Sequence, residues 1–127
     1  MHKYLHIRQY DVDTLELSST GGITLAYTAN KDIDGIFISL AQCSQRDQFS
    51  RKIGRELASK RLYEDGPLDV INFSNPVSES VRRWVQEWFN ISLIQDGKGR
   101  WISDFITPDY EGLSLELGDD CHEFTRM

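Results

Sequence analysis

The first forty residues alternate between apolar and polar positions in the manner of β-strands. The clearest run is 23–28, where Ile23, Leu25 and Tyr27 fall on one face and small or polar residues fall on the other. Glycine-rich and Asn/Asp-rich connections supply the residues that tight turns require. Three further apolar runs also predict strands: 4–10, 12–17 and 36–40. The pattern predicts an antiparallel meander of three or four strands.

From Ser44 the apolar spacing becomes helical. Ser44 is the expected N-cap of a helix near 45–62, and an apolar stripe of Phe49, Ile53 and Leu57 should dock on the sheet. Gly54 interrupts this helix at a cost of about 1 kcal/mol relative to alanine. Either a neighbouring backbone or a ligand must therefore approach closely at Gly54, and we favour packing.

A second amphipathic helix is predicted near 76–90. Ser74-Asn75-Pro76 supplies an N-cap followed by a proline in the first turn. The apolar stripe of this helix consists of Val77, Val81, Trp84, Val85, Trp88 and Phe89. An aromatic stripe of this kind can be an interaction surface, but helical spacing favours a place in the core, and we expect Trp88 to be buried there.

The remaining patterns predict short strands. A strand is expected near 68–73, and Asp96-Gly97 is a turn signal between two apolar runs that should form a β-hairpin. One more alternating run occupies 113–117. The predicted fold class is α+β, with an N-terminal antiparallel meander packed by a helix, then a second amphipathic helix and a hairpin. The absence of repeats and linkers predicts a single domain over 1–127.

The composition is that of an ordinary globular domain. The chain has 127 residues, of which 39% are hydrophobic and 27% are charged, so collagen-like, coiled-coil and disordered classes are excluded. A chain of this length buries enough surface to fold without metal or disulfide staples. The sequence has no apolar run typical of a signal peptide or a membrane span. We therefore expect a cytoplasmic protein without membrane contact.

Sequence motifs for catalysis or metal binding are absent. Cys43 and Cys121 are 78 positions apart and lack the spacing of a zinc or redox pair. The segment 119–123 concentrates a thiol, an imidazole and three carboxylates, but adjacent residues point in different directions and cannot form a triad among themselves. We expect no enzymatic activity, no metal and no cofactor.

Charge is distributed unevenly along the chain. The net charge is −6, yet the first predicted helix and its flanks, 44–63, carry a local charge of +4. On a helical wheel Arg51, Lys52, Arg55 and Ser59 fall within an arc of about 100° away from the apolar stripe. Either this arc is a solvated face that pairs with acids elsewhere in the fold, or it binds a phosphate backbone, an acidic protein surface or another anion. Against nucleic acid stand the overall acidity and the lack of an aromatic residue among the exposed basic positions.

The C-terminal quarter has the opposite bias. Residues 103–127 hold seven acidic residues against one arginine. Such a segment can imitate DNA phosphates or cover a basic partner surface, and it can equally be a solvated tail or a mate of the basic helix. Asp119 and Asp120 are the candidate binding residues in this quarter.

One segment resembles a known group of proteins. Its pattern is Ala41-x-Cys43-x₃-Asp47-x-Phe49-x-Arg51-Lys52-x-Gly54-Arg55-x₂-Ala58-x₂-Arg61-Leu62. With the strands before it, the segment 22–62 resembles a recurrent segment of small, uncharacterised tailed-bacteriophage proteins, over about a third of the chain. The resemblance implies a phage origin, the host-cell cytoplasm as location, and an early or accessory role. It carries no activity and no catalytic residues.

Two functional hypotheses follow from these patterns. The first is an acidic accessory protein that binds a host or defence-system protein and modulates or inhibits it by occlusion. The second is a nucleic-acid-binding accessory protein that uses the basic helix 46–61. Retention on DNA or RNA that weakens with salt would separate the two. The sequence predicts no oligomeric state.

Overall fold

Six strands form one mixed β-sheet in the computed structural model, which describes residues 2–10, 14, 16–44 and 46–103. The strands are β1 (Lys3–Gln9), β2 (Ile23–Asn30), β3 (Gly35–Gln42), β4 (Asp69–Asn72), β5 (Ile94–Gln95) and β6 (Trp101–Ser103). The helices are α1 (Arg51–Lys60) and α2 (Val77–Phe89), and a π-helical turn, Arg61–Asp65, extends α1. The predicted α+β class is confirmed.

The sheet order is β4-β3-β2-β1-β6-β5. All neighbouring strands are antiparallel except β1 and β6, which run parallel with Ile7 opposite Trp101. The meander and the hairpin around Asp96-Gly97 are therefore present, as predicted. The parallel pair places β1 inside the sheet, between β2 and the hairpin.

Helices cover both faces of the sheet. On one face Leu25 and its neighbours of the same parity pack against Val81, Val85 and Phe89 of α2. On the other face Ala26 and Ala41 pack against the apolar side of α1. As expected, β2 places small or polar residues, Thr24 and Ala26, on the face opposite Leu25. Both residues are nevertheless fully buried. This sheet is the middle of three layers.

The first helix begins later than predicted. Its N-cap is Ser50, whose hydroxyl accepts a hydrogen bond from the Ile53 N–H at 3.2 Å, and the helix starts at Arg51 instead of near 45. The predicted cap, Ser44, lies in a turn that is closed by a hydrogen bond from the Asp47 N–H to its carbonyl oxygen at 3.1 Å. The same oxygen also accepts a hydrogen bond from the Gly21 N–H at 3.1 Å, and this long-range bond holds the chain against the loop before β2. Gly54 is buried on the side of α1 that faces the sheet, in agreement with a packing role.

The second helix agrees with its prediction except at two points. Pro76 itself occupies the N-cap in an extended conformation, so Ser74 does not cap the helix. Trp88, expected in the core, is 40% exposed. Trp84 is buried and its indole N–H donates to the Asp69 carboxylate of β4, and Trp88 stacks on the Trp84 ring with ring centroids 5.0 Å apart. Because β4 is the edge strand, no further strand of the described sheet covers Trp88.

Some predicted strands fall wholly or partly outside the described residues. In the run 12–17, Leu17 forms an isolated antiparallel bridge with Tyr10, and positions 12, 13 and 15 are not described. The run 113–117 lies outside the described part. Within the part that is described, no helix is long and apolar enough to cross a membrane.

Candidate functional site

A cleft of about 400 Å³ opens beside the N-terminal half of β1. The pairing of β6 with β1 covers only Ile7, Arg8 and Gln9, so no described strand covers the outer edge of β1 before Ile7. The cleft lies at this edge, between the first turns of α1 and α2 and the tip of the β5–β6 hairpin. Its volume is in the range of small-molecule binding sites.

Cationic side chains dominate the lining of this cleft, which we call the cationic cleft. They come from β1, α1, α2 and the hairpin: Arg8, Arg51, Arg82, Lys98 and Arg100. The imidazole of His6 lines the cleft beside them. Three aromatic residues also line it: Tyr4, Tyr27 and Trp101. Among the described residues that line the cleft there is no carboxylate. The arrangement is that of a site for anions.

Arg8 is the most constrained of these cations. Its Nη2 donates to the Ser18 carbonyl oxygen at 2.9 Å, and its guanidinium carbon lies 4.7 Å from the centre of the Phe49 ring. Its buried Nε has no hydrogen-bond partner in the described structure. Burial, together with the positive charges of Arg100 and Arg51, lowers the pKa of Arg8 from its usual value. The guanidinium is therefore desolvated and crowded by like charge, and a bound anion would relieve both effects.

Arg82 and Trp101 form the wall of the cleft on the α2 side of the sheet. The guanidinium carbon of Arg82 lies 4.5 Å from the centre of the Trp101 ring, within the range of a cation–π contact. Arg82 belongs to the first two turns of α2, and Ser78 in the first turn also lines the cleft. The positive end of the α2 dipole thus adds to the potential in the cleft.

The hairpin tip is held in shape by Asp96. One carboxylate oxygen of Asp96 accepts hydrogen bonds from the backbone N–H groups of Lys98 and Arg100 at 2.9 and 2.8 Å. The other oxygen accepts from the Arg100 Nε at 2.7 Å. Burial alone would raise the pKa of Asp96, but these hydrogen bonds from Arg100 and Lys98 hold it below its usual value. Asp96 therefore stays ionised and orients Arg100.

His6 reports the electrostatic potential of the cleft. Its Nδ1 lies 2.9 Å from the Thr24 hydroxyl oxygen, and its ring meets the Phe49 ring edge-on. Burial lowers the pKa of His6 to about 4, and the charges of Arg51, Arg55 and Arg8 add to the effect. The imidazole is consequently neutral at pH 7.

The predicted basic arc is present in part. Arg51 and Lys52 are exposed and Arg55 is half-buried on α1. Within the described residues, no carboxylate lies within ion-pair distance of any of the three. The interpretation that these cations pair with acids elsewhere in the fold thus finds no support in the described part of the chain. Arg51 also lines the cleft, so the arc and the cleft form one continuous cationic face.

Ser59, the fourth member of the predicted arc, lies in a hydrogen-bonded cluster. Its Oγ is 2.6 Å from the Tyr4 hydroxyl oxygen and 3.0 Å from His2 Nε2. His2 Nδ1 is 2.8 Å from the Tyr63 hydroxyl oxygen. The cluster fastens the start of β1 to α1 and engages the Ser59 hydroxyl, so this residue offers less to a ligand than the three cations do.

None of the other candidate residues is among the described residues that line this site. Asp119, Asp120 and Cys121 lie outside the described residues. Cys43 is buried, and its thiol donates to the Asp47 carbonyl oxygen at 3.2 Å. The searched part of the chain contains no group of His, Cys, Asp and Glu side chains able to hold a metal ion.

Sequence reasoning missed four of the cations in the cleft: Arg8, Arg82, Lys98 and Arg100. They belong to three separate segments of the chain, β1, α2 and the hairpin, and only the tertiary fold brings these segments together. One signal was present in α2, since a helical wheel sets Arg82 at the flank of the apolar stripe and Arg83 opposite to it. The aromatic residues missing from the basic arc come from β1, β2 and β6 instead.

Comparisons with protein-family models, with curated proteins and with solved structures found no match. The resemblance of 22–62 to tailed-phage proteins therefore stays a prediction.

Proposed function

We propose that this protein is a non-catalytic accessory protein that binds nucleic acid through the cationic cleft and the adjoining face of α1. The observation that carries the proposal is the cleft lining, in which five arginine and lysine side chains meet three aromatic rings without a carboxylate among the described lining residues. Cations that neutralise phosphates and aromatic rings that stack on bases are the two elements of single-strand binding sites.

The aromatic lining removes one of the two objections to nucleic acid. The exposed basic positions of α1 contain no aromatic residue, but Tyr4, Tyr27 and Trp101 lie in the same cleft as Arg51. The other objection was the overall acidity. Seven of the twenty acidic residues belong to 103–127, which leaves residues 1–102 with no net charge. The cationic face is therefore set on a neutral body.

Measurements of oligonucleotide affinity at several salt concentrations test this proposal. We expect fluorescently labelled single strands of DNA and RNA to bind the protein with a log-affinity that falls linearly with log salt. Each lost phosphate contact should reduce the slope by about 0.7 for a single strand. A 20-base-pair duplex should bind more weakly, because the aromatic rings in the cleft can stack only on unpaired bases.

Charge reversal on α1 provides the matched comparison. Reversing Arg51 and Arg55 to Glu should weaken single-strand binding by about 10–100-fold at low salt and leave the melting temperature nearly unchanged. The control reverses Lys31 and Arg83, two cations that do not line the cleft. Equal losses in both double variants, or binding that does not respond to salt, would contradict the proposal.

A second candidate is an accessory protein that occludes a host or defence-system protein. The exposed Lys52 favours it, because this side chain does not line the cleft and extends the cationic surface along the solvent-exposed side of α1. A flat acidic protein surface could dock on that side. If single strands fail to bind, this candidate predicts that the Arg51/Arg55 reversal slows association with an acidic partner, most strongly at low salt. We place either function in the cytoplasm, that of the host cell for a phage-encoded protein.

A further inference from the structure

We propose that the cationic cleft is a site for a nucleoside carrying a chain of phosphates, either as a free nucleotide or as the triphosphorylated 5′ end of an RNA. This inference deepens the proposed function, because it names the ligand class of the same cleft. Its experimental outcomes also differ from those expected if the cleft binds any single strand.

The first argument is the charge held in a small volume. Five formally positive side chains line a cleft of about 400 Å³, and Asp96 offsets only the charge of Arg100. An internal phosphodiester brings one negative charge per nucleotide, which would leave most of this charge uncompensated. A nucleoside triphosphate brings about four negative charges near pH 7. A chain of phosphates concentrates this charge at one point, whereas an internal strand spreads the same charge over several nucleotides.

The second argument is the convergence of guanidinium groups from separate elements. Arg8, Arg82 and Arg100 come from β1, α2 and the hairpin, and all three line the cleft. A guanidinium binds two phosphate oxygens at once in a fixed geometry. Three such groups around one volume fit a ligand with oxygens on several sides, as a phosphate chain has.

The third argument concerns the nucleoside. Trp101 and Tyr27 line the cleft beside the guanidinium groups. Trp101 is half-buried, and Arg82 lies 4.5 Å from the centre of its ring. A base could stack on this aromatic and guanidinium wall with its phosphates directed to Arg8 and Arg100. The exposed face of α1 continues from Arg51, so the strand that follows a triphosphorylated 5′ end would have cations along its path.

Calorimetric titration of the full chain with a phosphate series tests the inference. The probes are AMP, ADP and ATP, with sodium tripolyphosphate and inorganic phosphate as ligands that lack a nucleoside. We expect affinity to rise with phosphate number, by about tenfold or more from AMP to ATP. ATP should bind more tightly than tripolyphosphate if the aromatic wall takes the base. Equal affinities for AMP and ATP would overturn the inference.

Two RNAs of one sequence distinguish the sources of the phosphate chain. One carries a 5′-triphosphate and the other a 5′-hydroxyl group. Tighter binding of the triphosphorylated RNA than of ATP indicates an RNA end that also uses the α1 face, whereas tighter binding of ATP indicates a free nucleotide. Equal binding of the two RNAs together with no affinity for ATP would overturn the inference and leave the proposed function intact.

Neighbouring arginines of α2 supply the matched variants. Arg82→Gln should weaken ATP binding by about tenfold, whereas Arg83→Gln should have no effect, because Arg83 is exposed outside the cleft and pairs with Glu79. Lys98→Gln is a second variant, and because Lys98 is exposed at the hairpin tip, its effect on ATP binding does not depend on packing.

His6 supplies an independent readout, since a bound phosphate chain should raise its pKa from about 4, as followed by NMR of its ring protons. Equal losses for Arg82→Gln and Arg83→Gln, or a His6 pKa that ATP leaves unchanged, would contradict the assignment.

Discussion

Arg82 lies over Trp101, with the guanidinium carbon 4.5 Å from the ring centre, and this contact joins α2 to the β5–β6 hairpin. The same guanidinium lines the cationic cleft. Arg82 therefore has two roles, one in holding the aromatic wall and one in supplying charge.

Replacing Arg82 by lysine should separate these roles. Lysine keeps the charge but loses the planar group that stacks on Trp101. We expect Arg82→Lys to retain the salt slope of single-strand binding while its affinity falls about three- to tenfold. Arg82→Gln should lower both the affinity and the slope, and fluorescence anisotropy at several salt concentrations measures both. A normal affinity in Arg82→Lys would show that stacking on Trp101 is unimportant for binding.

Gly22 is a position where any side chain should destabilise the fold. Its φ is +108°, and a Cβ there would lie 2.6 Å from Cδ1 of Phe49 and 3.0 Å from the Ile7 carbonyl oxygen. We expect Gly22→Ala to lower the free energy of unfolding by about 2–4 kcal/mol, because strain and overpacking act together. The displaced Phe49 ring would also move away from Arg8, so single-strand binding should weaken.

Gly97 provides the control for Gly22. A Cβ at Gly97 would have no heavy atom within 4 Å. Gly97→Ala should change the unfolding free energy by about 0.5 kcal/mol or less in urea denaturation. Equal effects at the two glycines would refute the packing of Phe49 against the loop before β2.

The two tryptophans of α2 should differ in their contributions to stability. Trp84 is 7% exposed and its indole N–H donates to the Asp69 carboxylate at 2.7 Å, whereas Trp88 is 40% exposed. We expect Trp84→Ala to cost about 3–5 kcal/mol and Trp88→Ala about 1–2 kcal/mol. Chemical denaturation of both variants decides the matter. A cost above 3 kcal/mol at Trp88 would restore the core position that its helical spacing predicts.

His6 should make folding stability dependent on pH in the acidic range. Its pKa is about 4 in the folded protein against 6.5 for the ordinary residue, so the unfolded chain binds more protons between these values. The contribution of the neutral His6 ring to the free energy of unfolding is therefore fully present above pH 6.5 and is lost as the pH falls towards 4. Because the ring is only partly buried and solvent screens its charge, we expect a loss of about 1–2 kcal/mol.

The variant His6→Gln isolates this effect from the carboxylates that titrate in the same range. Denaturation of both proteins between pH 4 and 7 should show a flatter pH dependence for the variant. Identical pH profiles would mean that neither burial nor the charges of Arg51, Arg55 and Arg8 lower the pKa of the imidazole.

The sequence predicts local structure well where a periodic pattern and burial agree. The alternation of β2 and the apolar stripe of α2 are each decided by one buried face, and both elements occur near their predicted positions. The predicted start of α1 was wrong because the hydrogen bond between Gly21 and Ser44 joins two distant segments, and such a bond produces no local pattern in the sequence. Arg51 and Lys52 could be assigned from the wheel of α1, but the cleft could not, since its cations come from elements whose contact depends on the parallel pairing of β1 with β6.

The parallel pairing of β1 with β6 also determines the order in which parts of the protein can fold. Ile7 and Trp101 lie opposite each other although they are 94 positions apart in the chain. Contacts of such long range form late, because a large loop must close before they contribute any stabilisation. A nascent chain that has not reached the hairpin can build the meander, yet it holds Arg8 without Lys98 or Arg100 beside it. The cationic cleft is therefore complete only when the two ends of the described fold have met, and anion binding in the cleft reports that this pairing has formed.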